Sequence, residues 1–106
     1  MIIENLKVKS KLFRGLADAT RLSILETLRD GEIMVADIVK QTGQSQPNIS
    51  NHLCCLLECG LVKNRRDGKN IFYSLANDRV KNLLENADGL LSEVQEEISE
   101  CPRYKE

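Results

Sequence analysis

The sequence has a single histidine, and no apolar run in it approaches the roughly 18 residues that a transmembrane helix requires. Its N-terminal segment MIIENLKVKSK lacks the apolar stretch and small-residue cleavage site of a signal peptide, so we expect a cytoplasmic protein with no membrane partner. One histidine leaves no Ser/His/Asp set, and the spacing indicates neither a phosphate-binding loop nor a cleft with paired carboxylates. These absences predict that the chain is not an enzyme and has no small-molecule substrate.

The composition also gives no overall sign of nucleic-acid binding, because the formal net charge is −1. The distribution of charge is more informative: residues 1–81 carry an excess of four positive charges and residues 82–106 an excess of five negative charges. A basic body with an acidic tail fits a DNA-binding protein whose tail faces away from the phosphates. Uneven surface charge without function explains the same pattern equally well.

Apolar residues repeated at helical spacing predict four helices in the first part of the chain. Asp18 is a predicted N-cap for the second helix, and Ser45, followed by Pro47, is one for the fourth. The predicted bounds are 4–15, Asp18 to Asp30, about 34–41, and 45–59. Two short helices separated by a few residues around a glycine form a helix-turn-helix, here at about 34–59.

A β-hairpin is predicted directly after these helices. Its strands are 61–65 and 70–75, and Asp67-Gly68 between them is a strong turn signal. A hairpin in this place is a wing, at about 61–75. A last helix at about 78–100 carries a long apolar stripe. The length fits one domain, so the predicted fold is a single winged helix-turn-helix spanning residues 1–106, mostly α with a β-hairpin wing, in the order ααααββα.

The helix at 45–59 has the side chains that DNA recognition needs. One face is apolar and is predicted to be core, at Ile49, Leu53, Leu56 and Leu57. Asn and Gln can bond to an adenine edge, and the N-terminal half of a recognition helix is the part that reaches bases. Basic residues at the wing tip suit phosphate or minor-groove contacts. The residues predicted to contact DNA are Ser45, Gln46, Asn48, Ser50, Asn51, His52, Arg65, Arg66 and Lys69. The competing interpretation is a solvated polar face with a charged loop.

Four segments together resemble the ArsR/SmtB family of metal-responsive repressors. They are LADATRLSIL at 16–25, SQPNISNHL at 45–53, CGLV at 59–62 and RDGK at 66–69. The likeness spans about residues 12–76 without a gap. It implies a homodimer that represses an operator next to resistance genes and releases it when a metal or metalloid binds. It also implies dimerisation through the first and last helices, which suits the apolar stripe of the helix at 78–100.

The metal sites of this family differ in their ligands, and two of them are missing here. Where one site has a Cys-Val-Cys-Asp segment, this sequence has MVAD at 34–37. Another site uses Asp and His of the last helix, and residues 78–100 contain no histidine. Cys55 and Cys59 remain, four residues apart on the helix at 45–59, where both can reach one ion.

The spacing of these two cysteines, with a further one near the C-terminus, is similar to that of the CmtR-type cadmium/lead sensors. That resemblance implies a three-thiolate site of Cys55, Cys59 and, from the partner subunit, Cys101. Cys54 is an addition to the pattern, and its role stays open. Three thiolates suit soft ions without ranking them. The resemblance makes Cd(II) or Pb(II) the expected effector, with As(III), Hg(II) and Zn(II) as open alternatives.

Other interpretations of the cysteines remain. Thiols can respond to an oxidant, although the C-terminal end of a helix and the adjacent Glu58 disfavour a thiolate. Cysteines also replace Ala or Val in cores. The sequence therefore predicts a homodimeric repressor that a soft metal releases from operator DNA. The alternative is a thiol-redox or arsenite-responsive winged-helix repressor.

Overall fold

The computed structural model describes residues 5–104, so residue 4, the predicted start of the first helix, lies outside the described part. The helices are α1 (Leu6–Ala17), α2 (Ala19–Thr27), α3 (Val35–Thr42), α4 (Gln46–Glu58) and α5 (Asp78–Glu100). The strands are β1 (Ile33–Met34), β2 (Val62–Asp67) and β3 (Asn70–Leu75), and a 3-10 turn at Pro102–Tyr104 follows α5. The order of helices and hairpin is as predicted, and β1 is an addition to it.

Side-chain caps fix where three of these helices begin. Asp18 Oδ1 accepts a hydrogen bond from the backbone N–H of Arg21 at 3.0 Å, and Ser45 Oγ accepts one from the N–H of Asn48 at 3.3 Å. Asn77 caps α5 in the same way. Each cap satisfies a backbone donor that the first helical turn leaves unpaired. The predicted caps Asp18 and Ser45 are therefore confirmed.

The three strands form one antiparallel sheet in the order β1-β3-β2. β2 and β3 are the predicted wing, and Gly68 takes a left-handed φ of 64° at its turn, which favours glycine. The sequence pattern does not predict β1 and places Met34 in the following helix. Two residues are too few to show an alternating pattern, and Ile33 and Met34 are ordered by pairing with β3, where Ile33 lies opposite Tyr73.

The core lies where α2, α3, α4 and the base of the wing meet. α4 contributes three of the four residues predicted for its apolar face, whereas the fourth, Leu57, is only half-buried. The buried residues are Ile24, Leu25, Leu28, Ile38, Ile49, Leu53, Leu56, Val62, Val80 and Leu84. Because α4 buries this face, its polar and cysteine-bearing faces are directed away from the core.

The two terminal helices leave apolar side chains uncovered. α1 has no buried residue, and its apolar side chains Leu6 and Phe13 are 53% and 56% exposed. α5 buries Val80 and Leu84, but apolar residues farther along it, Leu90, Leu91 and Ile98, are exposed. Among residues 5–104, no helix combines the length and the apolar character that spanning a membrane requires.

Candidate nucleic-acid interface and thiol site

The first turns of α4 display most of the polar side chains that the sequence predicts for DNA contact. Ser45 is the N-cap, Gln46, Ser50 and Asn51 are exposed, and Asn48 is half-buried. Unpaired N–H groups and the helix dipole give this end a partial positive charge that favours a phosphate. Exposed amides and hydroxyls here also match what a major-groove edge can bind. The arrangement supports the prediction that this end reads DNA.

Gln44 lies beside this group, although it is not among the residues that the sequence predicts to contact DNA. Its Oε1 accepts a hydrogen bond from Asn48 Nδ2 at 2.9 Å, and its backbone N–H donates to Thr42 Oγ1 at 3.3 Å. A signal was available, since Gln and Asn four residues apart pair on helix surfaces. It was missed because Gln44 precedes the cap Ser45 and so lies outside the predicted helix.

His52 is placed differently from its polar neighbours on α4. It is half-buried, and its Nδ1 lies 3.4 Å from Nη1 of Arg21 in α2. Arg21 Nε also donates to the carbonyl oxygen of Gly15 at 2.9 Å. This contact directs His52 toward the junction of α1 and α2, so a role for it in reading bases stays a prediction.

The wing separates its basic residues into two environments. Arg65 donates from Nε to both carboxylate oxygens of Glu32, at 2.9 and 3.0 Å, and its guanidinium lies 4.6 Å from the ring centre of Phe72. The hydrogen bond to Arg65 holds the pKa of Glu32 below its usual value, so the pair is ionised at neutral pH. Arg66 points to the opposite face of β2, and both it and Lys69 are exposed. Arg65 is thus committed within the chain, and Arg66 and Lys69 are better placed for a phosphate.

Cys55 and Cys59 are neighbouring thiols at the C-terminal end of α4, the first half-buried and the second exposed. Partial desolvation is the main cause that raises the pKa of the Cys59 thiol, and Cys55 and Glu58 raise it further. The Arg21 guanidinium acts in the opposite direction. Two adjacent sulfur donors can chelate one soft ion, which must then displace the protons that this environment retains.

The other two cysteines lie apart from this pair. Cys54 is exposed, and its Sγ lies 3.7 Å from Glu58 Oε1. Cys101 is the half-buried C-cap of α5. Within residues 5–104 of one chain, no three His, Cys, Asp or Glu side chains come together as a metal site. One chain therefore brings together Cys55 and Cys59 but not the predicted third ligand.

The regions that build the interface match known proteins. Residues 18–64, from α2 into β2, match the family model "Bacterial regulatory protein, arsR family". The chain is 42% identical over 94 residues to the "Probable mercury resistance operon repressor" of Streptomyces lividans, covering 89% of this chain and 75% of that protein. It is 39% identical over 75 residues to the HTH-type transcriptional regulator CmtR of Mycobacterium bovis, covering 71% of this chain and 64% of that protein. Sequence identity therefore does not favour the CmtR type over the mercury resistance repressor.

A solved structure supports the fold. The homodimeric winged helix-turn-helix DNA-binding domain of Mb0332 from Mycobacterium bovis has a TM-score of 0.79 and 30% identity, covering 90% of this chain and 88% of that one. The predicted winged helix-turn-helix is therefore confirmed. The relatives are transcriptional regulators, which confirms the expectation that the chain is not an enzyme.

Proposed function

Because the chain belongs to the ArsR family of bacterial regulatory proteins, we propose that it is a homodimeric, metal-responsive repressor of operator DNA. One observation carries the proposal: α4 has fixed, exposed polar groups at one end and the adjacent thiols of Cys55 and Cys59 at the other. A ligand held by these thiols acts on the helix that meets the DNA. The protein works where its operator lies, in the cytoplasm.

DNA binding is supported by the exposed groups of α4 and by the two wing cations that remain available, Arg66 and Lys69. The wing cations bind phosphates and set the register, and the α4 side chains read the bases. The acidic segment 82–106 lies largely in α5, so like charge keeps the end of this helix away from DNA.

Dimerisation is supported by the apolar surfaces of α1 and α5. Phe13 is 56% exposed and Leu90 61% exposed, and each lies in a helix that exposes further apolar side chains, Val8 and Leu12 in α1 and Leu91 and Ile98 in α5. Exposed apolar side chains of this size along two helices mark an interaction surface. The similar Mb0332 domain is a homodimer, and a second copy of this chain is the partner we propose.

The metal site is the finer part of the proposal. Cys55, Cys59 and Cys101 of the partner subunit would hold the ion, and three thiolates suit Cd(II) or Pb(II). Cys101 caps the helix that we assign to the dimer interface, so dimerisation is what can carry it to α4 of the other chain. The ion cross-links α4 of one subunit to α5 of the other, and this cross-link weakens operator binding.

Mixed dimers test the shared site. A subunit with Cys101→Ser is combined with one that carries Cys55→Ser and Cys59→Ser. If the ligands come from both subunits, only the mixed dimer regains one complete site, seen as ultraviolet thiolate-to-cadmium absorption at half the wild-type intensity. If the Cys101→Ser homodimer absorbs like wild type, Cys101 is not a ligand, and if the mixed dimer does not absorb, the ligands do not come from both subunits. Titration with Pb(II), Zn(II), As(III) and Hg(II) in parallel identifies the effector.

The alternative is release of DNA by thiol oxidation. The raised pKa of Cys59 opposes it, because the thiolate is the form that reacts with oxidants. In chelated buffer, mild oxidant should therefore leave operator binding unchanged, whereas Cd(II) releases the DNA. Release by oxidant, with no response to any of the metals, would replace the metal proposal by the redox one.

A further inference from the structure

Gln44 is an exposed residue whose position is nevertheless fixed at two points. Its backbone N–H donates to Thr42 Oγ1, and the Thr42 hydroxyl itself donates to the carbonyl oxygen of Ile38 at 2.8 Å. Its side-chain Oε1 accepts from Asn48 Nδ2. A long surface side chain ordinarily loses conformational freedom when it binds, and here part of that entropy is lost already in folding.

The hydrogen bond between the two amides also determines what they leave available. Gln44 Oε1 and one N–H of Asn48 are occupied by each other. Gln44 Nε2 remains as a donor, and Asn48 Oδ1 remains as an acceptor. Both groups stand at the start of α4, beside the cap Ser45, at the end of the helix that carries the exposed polar groups.

A neighbouring donor and acceptor match one base in the major groove. Adenine presents N7 as an acceptor next to the N6 amino group as a donor, whereas guanine presents two acceptors. We propose that Gln44 and Asn48 act as one recognition unit that reads an adenine in each half of the operator. This inference rests on the proposed DNA-binding function and adds Gln44 to the residues that determine specificity.

The test begins with selection of operator duplexes from a random library by the full-length wild-type protein. Binding is then measured for every base pair at each half-site position. We expect one position at which adenine is preferred by about tenfold. Replacing that adenine by 7-deazaadenine, which lacks the N7 acceptor, should weaken wild-type binding by a similar factor.

Two variants of Gln44 distinguish a role in recognising adenine from a role in stabilising the start of α4. Gln44→Ala removes both the donor and the contact with Asn48, so the adenine preference and the sensitivity to 7-deazaadenine should disappear. Gln44→Glu keeps an acceptor for Asn48 but has no donor, so preference at that position should shift from adenine toward cytosine, which offers an amino group. Gln41→Ala, at an exposed glutamine of α3, is the matched control and should leave the base profile unchanged.

The outcomes distinguish this inference from the function on which it rests. If Gln44→Ala weakens binding to all duplexes equally, or changes nothing, the pair only stabilises the start of α4 and the inference is wrong. The inference alone also fails if wild-type binding is sequence-specific but insensitive to 7-deazaadenine at every position. If the wild-type protein selects no sequence at all, the proposed operator binding fails together with it.

Discussion

The two ends of α4 differ in how the rest of the chain holds their side chains. At the N-terminal end, Ser45 caps the helix and Gln44 is bonded to Asn48, so local hydrogen bonds hold the polar groups in place. At the C-terminal end, Cys55 and Cys59 are adjacent thiols, and within residues 5–104 no third His, Cys, Asp or Glu side chain joins them as a metal site. The comparison contrasts a preorganised N-terminal end, which we propose reads DNA (the reading end), with a C-terminal end that we propose a ligand and a second subunit complete (the responsive end).

Both ends depend on the buried middle of α4, so breaking the middle should have the largest effect. Leu53 is 1% exposed, and Leu53→Ala should lower the free energy of unfolding by about 2–5 kcal/mol through lost apolar contact and a cavity. Urea unfolding at fixed protein concentration measures this. Leu57→Ala, at a half-buried site on the same helix, should cost clearly less. Equal losses for the two variants would contradict the assignment of Leu53 to the core.

The next largest effect concerns the responsive end alone. Cys59→Ser should abolish metal-induced release of the operator, which corresponds to loss of a coupling free energy of about 1–3 kcal/mol. Operator affinity in chelated buffer should stay at the wild-type value, as measured by fluorescence anisotropy. Cys54→Ser, one residue before Cys55 on the same helix, is the matched control and should respond normally. If Cys59→Ser still releases the operator when metal is added, the Cys59 thiol of α4 is not needed for metal sensing.

Metal binding at the C-terminal end of α4 should weaken as the pH falls. The pKa of Cys59 is raised above its ordinary value of 9.0, so the thiol is protonated near neutral pH and an ion must displace that proton. Apparent cadmium affinity should therefore fall with decreasing pH, by about tenfold per pH unit for each displaced proton, and level off only above the Cys59 pKa. Competition with a chelator of known pH dependence gives the slope. A flat profile between about pH 6 and pH 8 would show that thiols are not the ligands.

How far the sequence could predict these features depended on the distance between the interacting residues. Ser45 and Asp18 were recognised because a cap and its N–H lie three residues apart. Arg65 was predicted to bind DNA, but it is held by Glu32, 33 positions away, and the link between His52 and Arg21 spans 31 positions. Such contacts are set by how the elements pack, for which a single sequence carries no local signal. The same holds for Cys101, whose partner we place on a second subunit.

The reading end can be weakened without touching the thiols. Ser45→Ala removes the cap and should lower the free energy of unfolding by about 1 kcal/mol, while operator affinity falls as the first turn frays. Cadmium affinity in the absence of DNA should not change, as followed by thiolate absorption. Ser50→Ala, an exposed serine that does not cap the helix, is the stability control. A parallel loss of cadmium affinity in Ser45→Ala would show that the two ends are not independent.

The smallest expected effect concerns the wing, where Arg65 is bonded within the chain and Arg66 is exposed to solvent. Arg66 is exposed, so Arg66→Ala should remove one phosphate contact per subunit and reduce the slope of log affinity against log salt concentration by about two units for the dimer. Arg65 is engaged by Glu32 and stacked on Phe72, so Arg65→Ala should leave that slope nearly unchanged. Glu32→Gln weakens the ion pair with Arg65 and so frees Arg65 for a phosphate, which should make operator binding more dependent on salt. In the double variant with Arg65→Ala, this increase should not occur. If instead Arg65→Ala lowers the slope as much as Arg66→Ala, then Arg65 exchanges Glu32 for a phosphate on binding, and its side chain belongs with the available ones.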